Sequence, residues 1–534
     1  MEAECFLADY AKDGDPLHIL RLGQVLTEKA SALGDSDPAA PLRLRAQLLH
    51  RDLLDGVSAD PGDKLAELEA IEAEFARAKA WDDVATSRLS LGHVNAHLGN
   101  SGIAIGWFVA ALEAQTKLGD DPGIPVLTAG NAERLRPYYE ALIHALIEAG
   151  NHRAAFLVAE RCKSELWRRM RPKPRLDLAA LIEAPAVDPA SAGMISFFVD
   201  AEGVILFWTT CDGAAHSARM GIPRARLESY VAAVRANGWR PVGLFTPSNV
   251  ESIRALGGLL KPAGRDLLNA MPERLTISPD GILHNVPWHL LQVGPVPLIQ
   301  RHSVRTVLCL EHAAFVAKPS QAERRISVFT VPSVSDCGSG WAQWAEAVCV
   351  SIAPAGGEVD LIGGREGTLG ALIARIHDSY LHIRCHGHFP EGADVTAEDA
   401  YRRSGLLLAV SGLPERSAEA SLAAPKDFIE LGLVRAQPSG HVALEACVSG
   451  IVHDGAAGDP VSLPWVLALQ GARTIVTSLW NVETAHAEAF FSCYYAQMSG
   501  QDRSAGEAHR IATVEMLRRF GPAAAAFRLL GNDL

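Results

Sequence analysis

Apolar residues recur at three- and four-residue intervals up to about position 172, separated by short breaks rich in Gly, Asp, Asn and Pro. That spacing lines one face of an α-helix. It predicts helices over 16–34, 39–57, 63–79, 82–98, 102–118, 134–149 and 152–170. From about 176 the period changes. Strand-like runs appear at 193–198, 203–208 and 274–278, with amphipathic helical stretches over 223–237 and 249–271 between them. Beyond Arg325 strands are expected at 326–331, 359–362, 380–385, 442–447 and 473–479. Helices are expected at 342–352, 369–377, 462–470, 484–498, 504–520 and 522–529. Alternation of this kind describes a mostly parallel sheet covered by helices. Reactive groups are then expected at the carboxyl ends of its strands.

The break Leu98-Gly-Asn100 joins two helical stretches in which small residues, Gly92 among them, allow close packing while Trp107 or Phe108 fills the gap. This resembles a tetratricopeptide helical hairpin. Ala149-Gly-Asn151 repeats the break 51 residues later, rather than the usual spacing of about 34, so the repeat is degenerate; the extra length falls in the loop around Gly119-Asp-Asp-Pro-Gly123. Stacked repeats form a curved scaffold that binds peptides or protein surfaces. A plain helical bundle without a binding face is the other reading. Arg168-Arg-Met-Arg-Pro-Lys-Pro-Arg175 ends the helices as a linker, because its prolines cannot continue them.

At 534 residues the chain exceeds one hydrophobic core, so two or three domains are expected. A net charge of −13 disfavours general binding of nucleic acid or anionic membrane and makes cationic protein segments the natural partners. The acidic start Met1-Glu-Ala-Glu lacks the pattern of a secretory signal, and no apolar run reaches membrane-spanning length. Nine scattered cysteines, an odd number, suit a reducing cytoplasm.

Two predicted strands end in reactive side chains. Leu381-His-Ile-Arg-Cys-His-Gly-His388 places His386 at a strand end, before Gly387, whose missing β-carbon lets a carbonyl approach closely. Sixty-one positions later (447 − 386), Leu444-Glu-Ala-Cys-Val-Ser-Gly450 places Cys447 at another. A histidine beside a thiol takes its proton or stabilises the thiolate, which makes it a nucleophile. The N–H groups of Gly387 and Cys447 are candidate donors to the oxyanion formed on attacking a peptide carbonyl. His382 is expected as a buried support behind His386.

His382-x-x-x-His386-Gly387, Leu444-x-Ala-Cys447-x-Ser-Gly450 and Gly471-Ala-Arg-Thr-Ile-Val-Thr-Ser-Leu-Trp480-Asn-Val482 resemble the three linked motifs of the CHAT domain. That is a caspase- and separase-like (clan CD) cysteine peptidase domain often joined to tetratricopeptide repeats. Ile277-Ser-Pro-Asp-Gly281…Pro287-Trp-His-Leu-Leu291 is similar to its opening segment, and Phe491…Tyr495…Gly500…Ala505…Ala508 to its closing helices. The resemblance covers about 180–534. It implies an α plus α/β chain: a tetratricopeptide-like helical domain over 1–172, a pseudo-peptidase-like α/β part over 173–318, and a caspase-like catalytic part over 319–534 with a mostly parallel six-stranded sheet. It also implies a His386–Cys447 dyad, no cofactor, and a wall formed by strand 473–479 and Trp480 along which substrate adds as a β-strand.

Glu445, two positions before Cys447, is read as projecting on the same side of its strand. With Glu483, and with Ser478 and Trp480 lining the pocket, it is expected to select Arg or Lys before the cut; a structural salt bridge for Glu445 is the competing reading. The cluster His382, Cys385, His386 and His388 is not read as a metal site, since alternation turns Cys385 away and no second ligand pair has zinc spacing. Gly363-Gly-Arg-Glu-Gly-Thr368 lacks the Lys-Ser/Thr of a phosphate loop. Long segments at 389–427 and 452–460 are read as loops beside the site, ordered when an activating protein or ribonucleoprotein binds the helical front. The family resemblance implies bacterial antiviral defence or programmed cell death. A catalytically inert interaction scaffold stays open as the alternative.

Overall fold

The structure is a computed structural model that describes residues 39–56, 61–117, 129–164, 167, 182, 193–238, 247–271, 273–313, 325–331, 346, 348–350, 358–376, 378, 380–390, 396–409, 420–430, 440–454, 460–500 and 503–531. The expected helix at 16–34, the linker at 168–175 and the loop at 119–123 lie outside them, as does most of the helix expected at 342–352.

One compact unit takes the described residues of Met1–Asp121 and Pro137–Gly150. It contains α1 (Ala40–Leu54), α2 (Pro61–Ala78), α3 (Trp81–His97), α4 (Ser101–Thr116) and the part from Pro137 of α5 (Ala129–Glu148). Gly99 takes a positive φ of 80° to turn the chain between α3 and α4. Phe108, not Trp107, fills the seam: it is buried, and a β-carbon at Gly92 would lie 2.3 Å from its ring.

The second unit takes the described residues of Pro122–Arg136 and Asn151–Leu534. It takes the part of α5 up to Arg136 and then α6 (His152–Lys163), whose Lys163 Nζ, buried, donates to Ser196 Oγ at 3.0 Å and Ser278 Oγ at 2.7 Å. Its strands are β1 (Met194–Val199), β2 (Val204–Thr209), β3 (Ala215–Met220), β4 (Arg274–Ser278), β5 (Gln292–Val293), β6 (Val296–Pro297), β7 (Ser303–Thr306), β8 (Arg325–Thr330), β9 (Glu358–Gly363), β10 (Tyr380–Arg384), β11 (His386–His388), β12 (Gly405–Ala409), β13 (Ala420–Ala423), β14 (His441–Glu445), β15 (His453–Asp454), β16 (Pro460–Val461), β17 (Thr474–Ser478) and β18 (Phe527–Gly531).

Eleven of these form one sheet in the order β3-β2-β1-β4-β7-β18-β17-β14-β10-β8-β9. The block β17-β14-β10-β8-β9 is parallel throughout, as is β1-β4-β7. β18 runs parallel to β7 and antiparallel to β17, so the two blocks run in opposite senses. The six strands from β18 to β9 correspond to the expected caspase-like core. Apolar side chains cover both faces of this block: Leu381, Ile383, Val442, Leu444 and Ile475 on one, Val328, Ala443 and Val476 on the other.

Three expectations change. The segment 522–529 is not a helix: after the 3-10 turn Pro522–Ala524 the chain forms β18 (Phe527–Gly531), fully buried between β17 and β7, where pairing with two neighbouring strands overrides the helical propensity of Arg528, Leu529 and Leu530. The stretch 249–271 is two helices, Pro247–Gly258 and Gly264–Asn269, broken before Pro262. The segment 389–427 is not a plain loop. It holds the helix Ala397–Arg403, closed by a capping box from Thr396, and β12 and β13, which pair with β11 in a small antiparallel sheet. Among the described residues no helix is long and apolar enough to cross a membrane.

Gly92→Ala is expected to destabilise the helical unit by about 1–3 kcal/mol, because its β-carbon would overlap the buried Phe108 ring, which must shift. Urea unfolding followed by circular dichroism measures it; a change under about 0.5 kcal/mol contradicts the packing.

Candidate active site

β10 and β14 pair in parallel with Arg384 opposite Glu445. The chains stay together past the strand ends, where Cys385 N–H donates to Glu445 O at 3.4 Å. A β-carbon at Gly387 would lie 2.0 Å from the Cys447 carbonyl oxygen, so only hydrogen fits between the two backbones. His386, exposed on β11, and Cys447, half-buried, therefore share one rim of the sheet. Cys447 Sγ faces the Val482 carbonyl at 3.9 Å.

The turn carrying Cys447 is tightly held. Val448 takes φ 50°, a left-handed conformation that costs a β-branched residue about 1–3 kcal/mol. Ser478 Oγ donates to Ala446 O at 2.6 Å, its N–H donates to Ser449 Oγ at 3.1 Å, and Gly450 N–H donates to Ser478 O at 2.7 Å. A β-carbon at Gly450 would come within 2.5 Å of Thr477 Oγ1.

Three expected pocket residues are placed elsewhere. Ser478 is fully buried and clamps the turn, as above. Trp480 is buried beside Leu290, Leu479, Ala525 and Ala526, with its indole N–H donating to Ala523 O at 2.8 Å. Glu445 does not project beside Cys447: the strand ends at Glu445 and the turn reverses the side-chain direction, so Cys447 packs against the cluster of Leu381 and Leu444, while Glu445 sits with His382 and Tyr495. Nor is β17 a wall for an added strand, since β14 and β18 occupy both its edges. Glu483 alone keeps an exposed carboxylate, 3.8 Å from His486 Nδ1.

Behind the rim lies a buried polar chain. Tyr495 Oη is 2.7 Å from His382 Nδ1, His382 Nε2 is 3.2 Å from Glu445 Oε2, and Arg384 reaches Glu445 at 3.5 Å and Glu488 at 3.0 Å. Burial pushes the Glu445 carboxyl up to about 8, outweighing Arg384, and holds His382 down to about 3. A neutral Glu445 donates to His382 Nε2, and Nδ1–H then donates to Tyr495. His382 thus supports the strand under the rim, through neighbours that periodicity does not indicate. Burial, then Cys447 and Glu445, also raise the thiol of Cys385.

A cavity of about 420 Å³ opens beside the residues that follow His386 and Cys447, lined by Gly387, His388, Phe389, Pro390, Arg403, Val448 and Asn481. Arg403 and Asn481 were not singled out by sequence. Nothing in the spacing links a residue of the helix after β11 to the turn after β14. Arg403 is paired with Asp399 at 3.1 Å.

The sheet and this rim define a caspase- and separase-like α/β protein. The profile of the CHAT domain matches residues 251–524, just over half of the 534 residues, and the chain belongs to the CHAT domain family. The Saccharomyces cerevisiae separase–securin complex at 3.0 Å resolution aligns with a TM-score of 0.50 and 9% identity, over 98% of this chain and 49% of that one. The chain thus spans about half the length of the separase it matches, and the likeness establishes the fold. The Arg-specific cysteine proteinase gingipain R aligns at a TM-score of 0.33 and 10% identity, over 66% of this chain and 79% of that one. No curated protein sequence matches the chain.

The buried groups set opposite pH dependences. His382 and His441 stay neutral to about 3 in the folded chain but protonate near 6.5 when unfolded, so stability falls as pH drops below 6.5. Glu445 keeps its proton to about 8 but loses it near 4.5 when unfolded, so its share of stability falls as pH rises from 4.5 to 8. Glu445→Gln is therefore expected to gain stability relative to the parent chain between pH 5 and 8 in urea titrations. A difference that does not change with pH rules this out.

Proposed function

We propose that the protein is a cysteine endopeptidase in which His386 activates Cys447 and the N–H groups of Gly387 and Cys447 receive the oxyanion. The observation that carries this reading is the approach of Gly387 to the Cys447 peptide, which puts an imidazole-bearing strand end against a thiol-bearing one. The thiolate attacks the substrate carbonyl, the imidazolium protonates the leaving amine, and water then hydrolyses the thioester.

Glu483 is the proposed selector of Arg or Lys before the cut. It follows Val482, whose carbonyl faces the thiol, and it is exposed; Arg403 in the cavity is neutralised by Asp399. A protein partner or ligand bound to the helical unit, where Leu98 and Ile103 stand exposed, is the proposed activator. A place in bacterial defence or cell death in the cytoplasm completes the proposal.

A fluorogenic peptide panel with the full chain tests it. Peptides with Arg or Lys before the cut are expected to be cleaved fastest, with free-chain turnover well below the roughly 10 s⁻¹ of a typical enzyme. Cys447→Ala and His386→Ala are each expected to lose at least about 10³-fold with the fold intact. Gly387→Ala is expected to lose about 10²-fold, by displacing the rim. Retained cleavage in Cys447→Ala refutes the peptidase; faster cleavage after Asp or neutral residues refutes the cationic pocket.

A further inference from the structure

The far end of the cysteine turn is held by residues from outside the strands that carry His386 and Cys447. Asn285 closes the 3-10 helix Gly281–Asn285, in the segment after β4. Its Nδ2 donates to Val452 O at 2.8 Å and its Oδ1 accepts from Val452 N–H at 2.9 Å, so one side chain satisfies both backbone groups of a fully buried residue. Arg528, on β18 and 2% exposed, donates to the Gly450 carbonyl and to the His284 carbonyl. Among the described residues no carboxylate pairs with this guanidinium, and burial lowers it to about 9.

A buried cation matched only by carbonyls is a costly means of general stabilisation. Its geometric product is specific: Gly450 is fixed to the 3-10 helix by a group that β18 carries. With Ser478 holding Ala446 at the near end, the segment Ala446–Val452 is bound at both ends around Val448, whose φ is positive and whose carbonyl accepts from Ile451 N–H at 3.1 Å. Such a conformation persists only where its surroundings over-determine it.

We propose that Asn285 and Arg528 are positioning residues for Cys447, locking the Gly450–Val452 end of its turn so that Val448 stays left-handed and the thiol and its N–H keep their aim. For catalysis this rests on the peptidase reading; for the conformation of the turn it does not.

The test uses the full chain carrying Asn285→Ala, Arg528→Lys or Arg528→Met. Three quantities are measured: the rate of iodoacetamide alkylation at Cys447 against pH, by mass spectrometry; kcat and KM on the best panel peptide; and thermal stability. Asn285→Ala is expected to lower kcat by about tenfold or more with KM changed less than about threefold, and to shift the Cys447 alkylation profile. Arg528→Lys, which keeps one donor head, is expected to fall between the parent chain and Arg528→Met. Should Arg528→Met not fold, Asn285→Ala, which buries no new charge, carries the test alone. A folded Asn285→Ala whose alkylation profile is unchanged and whose kcat stays within about twofold overturns the proposal. Alkylation needs no substrate, so a shifted profile in Asn285→Ala upholds the positioning even where retained cleavage in Cys447→Ala refutes the peptidase reading.

Discussion

The backbone of Gly387 touches the peptide of Cys447, with no room between them for a β-carbon. Everything else at the rim follows from that contact. It is the continuation of a register in which Arg384 stands opposite Glu445, held by ladder bonds between two strands that are buried on both faces. Strands buried on both faces cannot slip by a residue without moving every apolar side chain to the wrong cluster. The hydrophobic core thereby sets the relation between His386 and Cys447 as firmly as any polar contact does.

The cost of bringing the cysteine to the rim appears as strain at Val448. That strain is sustained by bonds from three elements: Ser478 on β17, Arg528 on β18, and Asn285 on the 3-10 helix following β4. β18 is the one strand that joins the two oppositely directed blocks. Arg528 extends this junction to the cysteine turn, so the block β1-β4-β7 and its attached 3-10 helix belong to the architecture of the site.

Glu445 illustrates how a strand end changes the meaning of a sequence position. Alternation along an unbroken strand would put it beside Cys447, but the strand stops and the turn reverses direction, so its carboxyl enters a dry polar chain with His382 and Tyr495. There its proton is retained by burial. Ser478 and Trp480 followed the same course: residues of a recognisable motif, engaged in holding backbone rather than in lining a surface.

Local pattern was enough to predict the helical front, the parallel block, and the two strand ends bearing His386 and Cys447, because periodicity and a terminating glycine are properties of neighbouring residues. The close packing at Gly92 was legible in the same way across a single turn, while the choice of Phe108 over Trp107 to fill the seam was made by the structure. What local pattern could not give was β18, whose Phe-Arg-Leu-Leu run follows a stretch of alanines and also suits a helix, or the partners of Glu445, or Asn285 reaching Val452 across 167 positions. Those depend on which surfaces a folded sheet brings together and which side chains it cuts off from water. Such long-range contacts and burial are decided only by tertiary structure, since desolvation and register act between residues with no fixed relation along the chain.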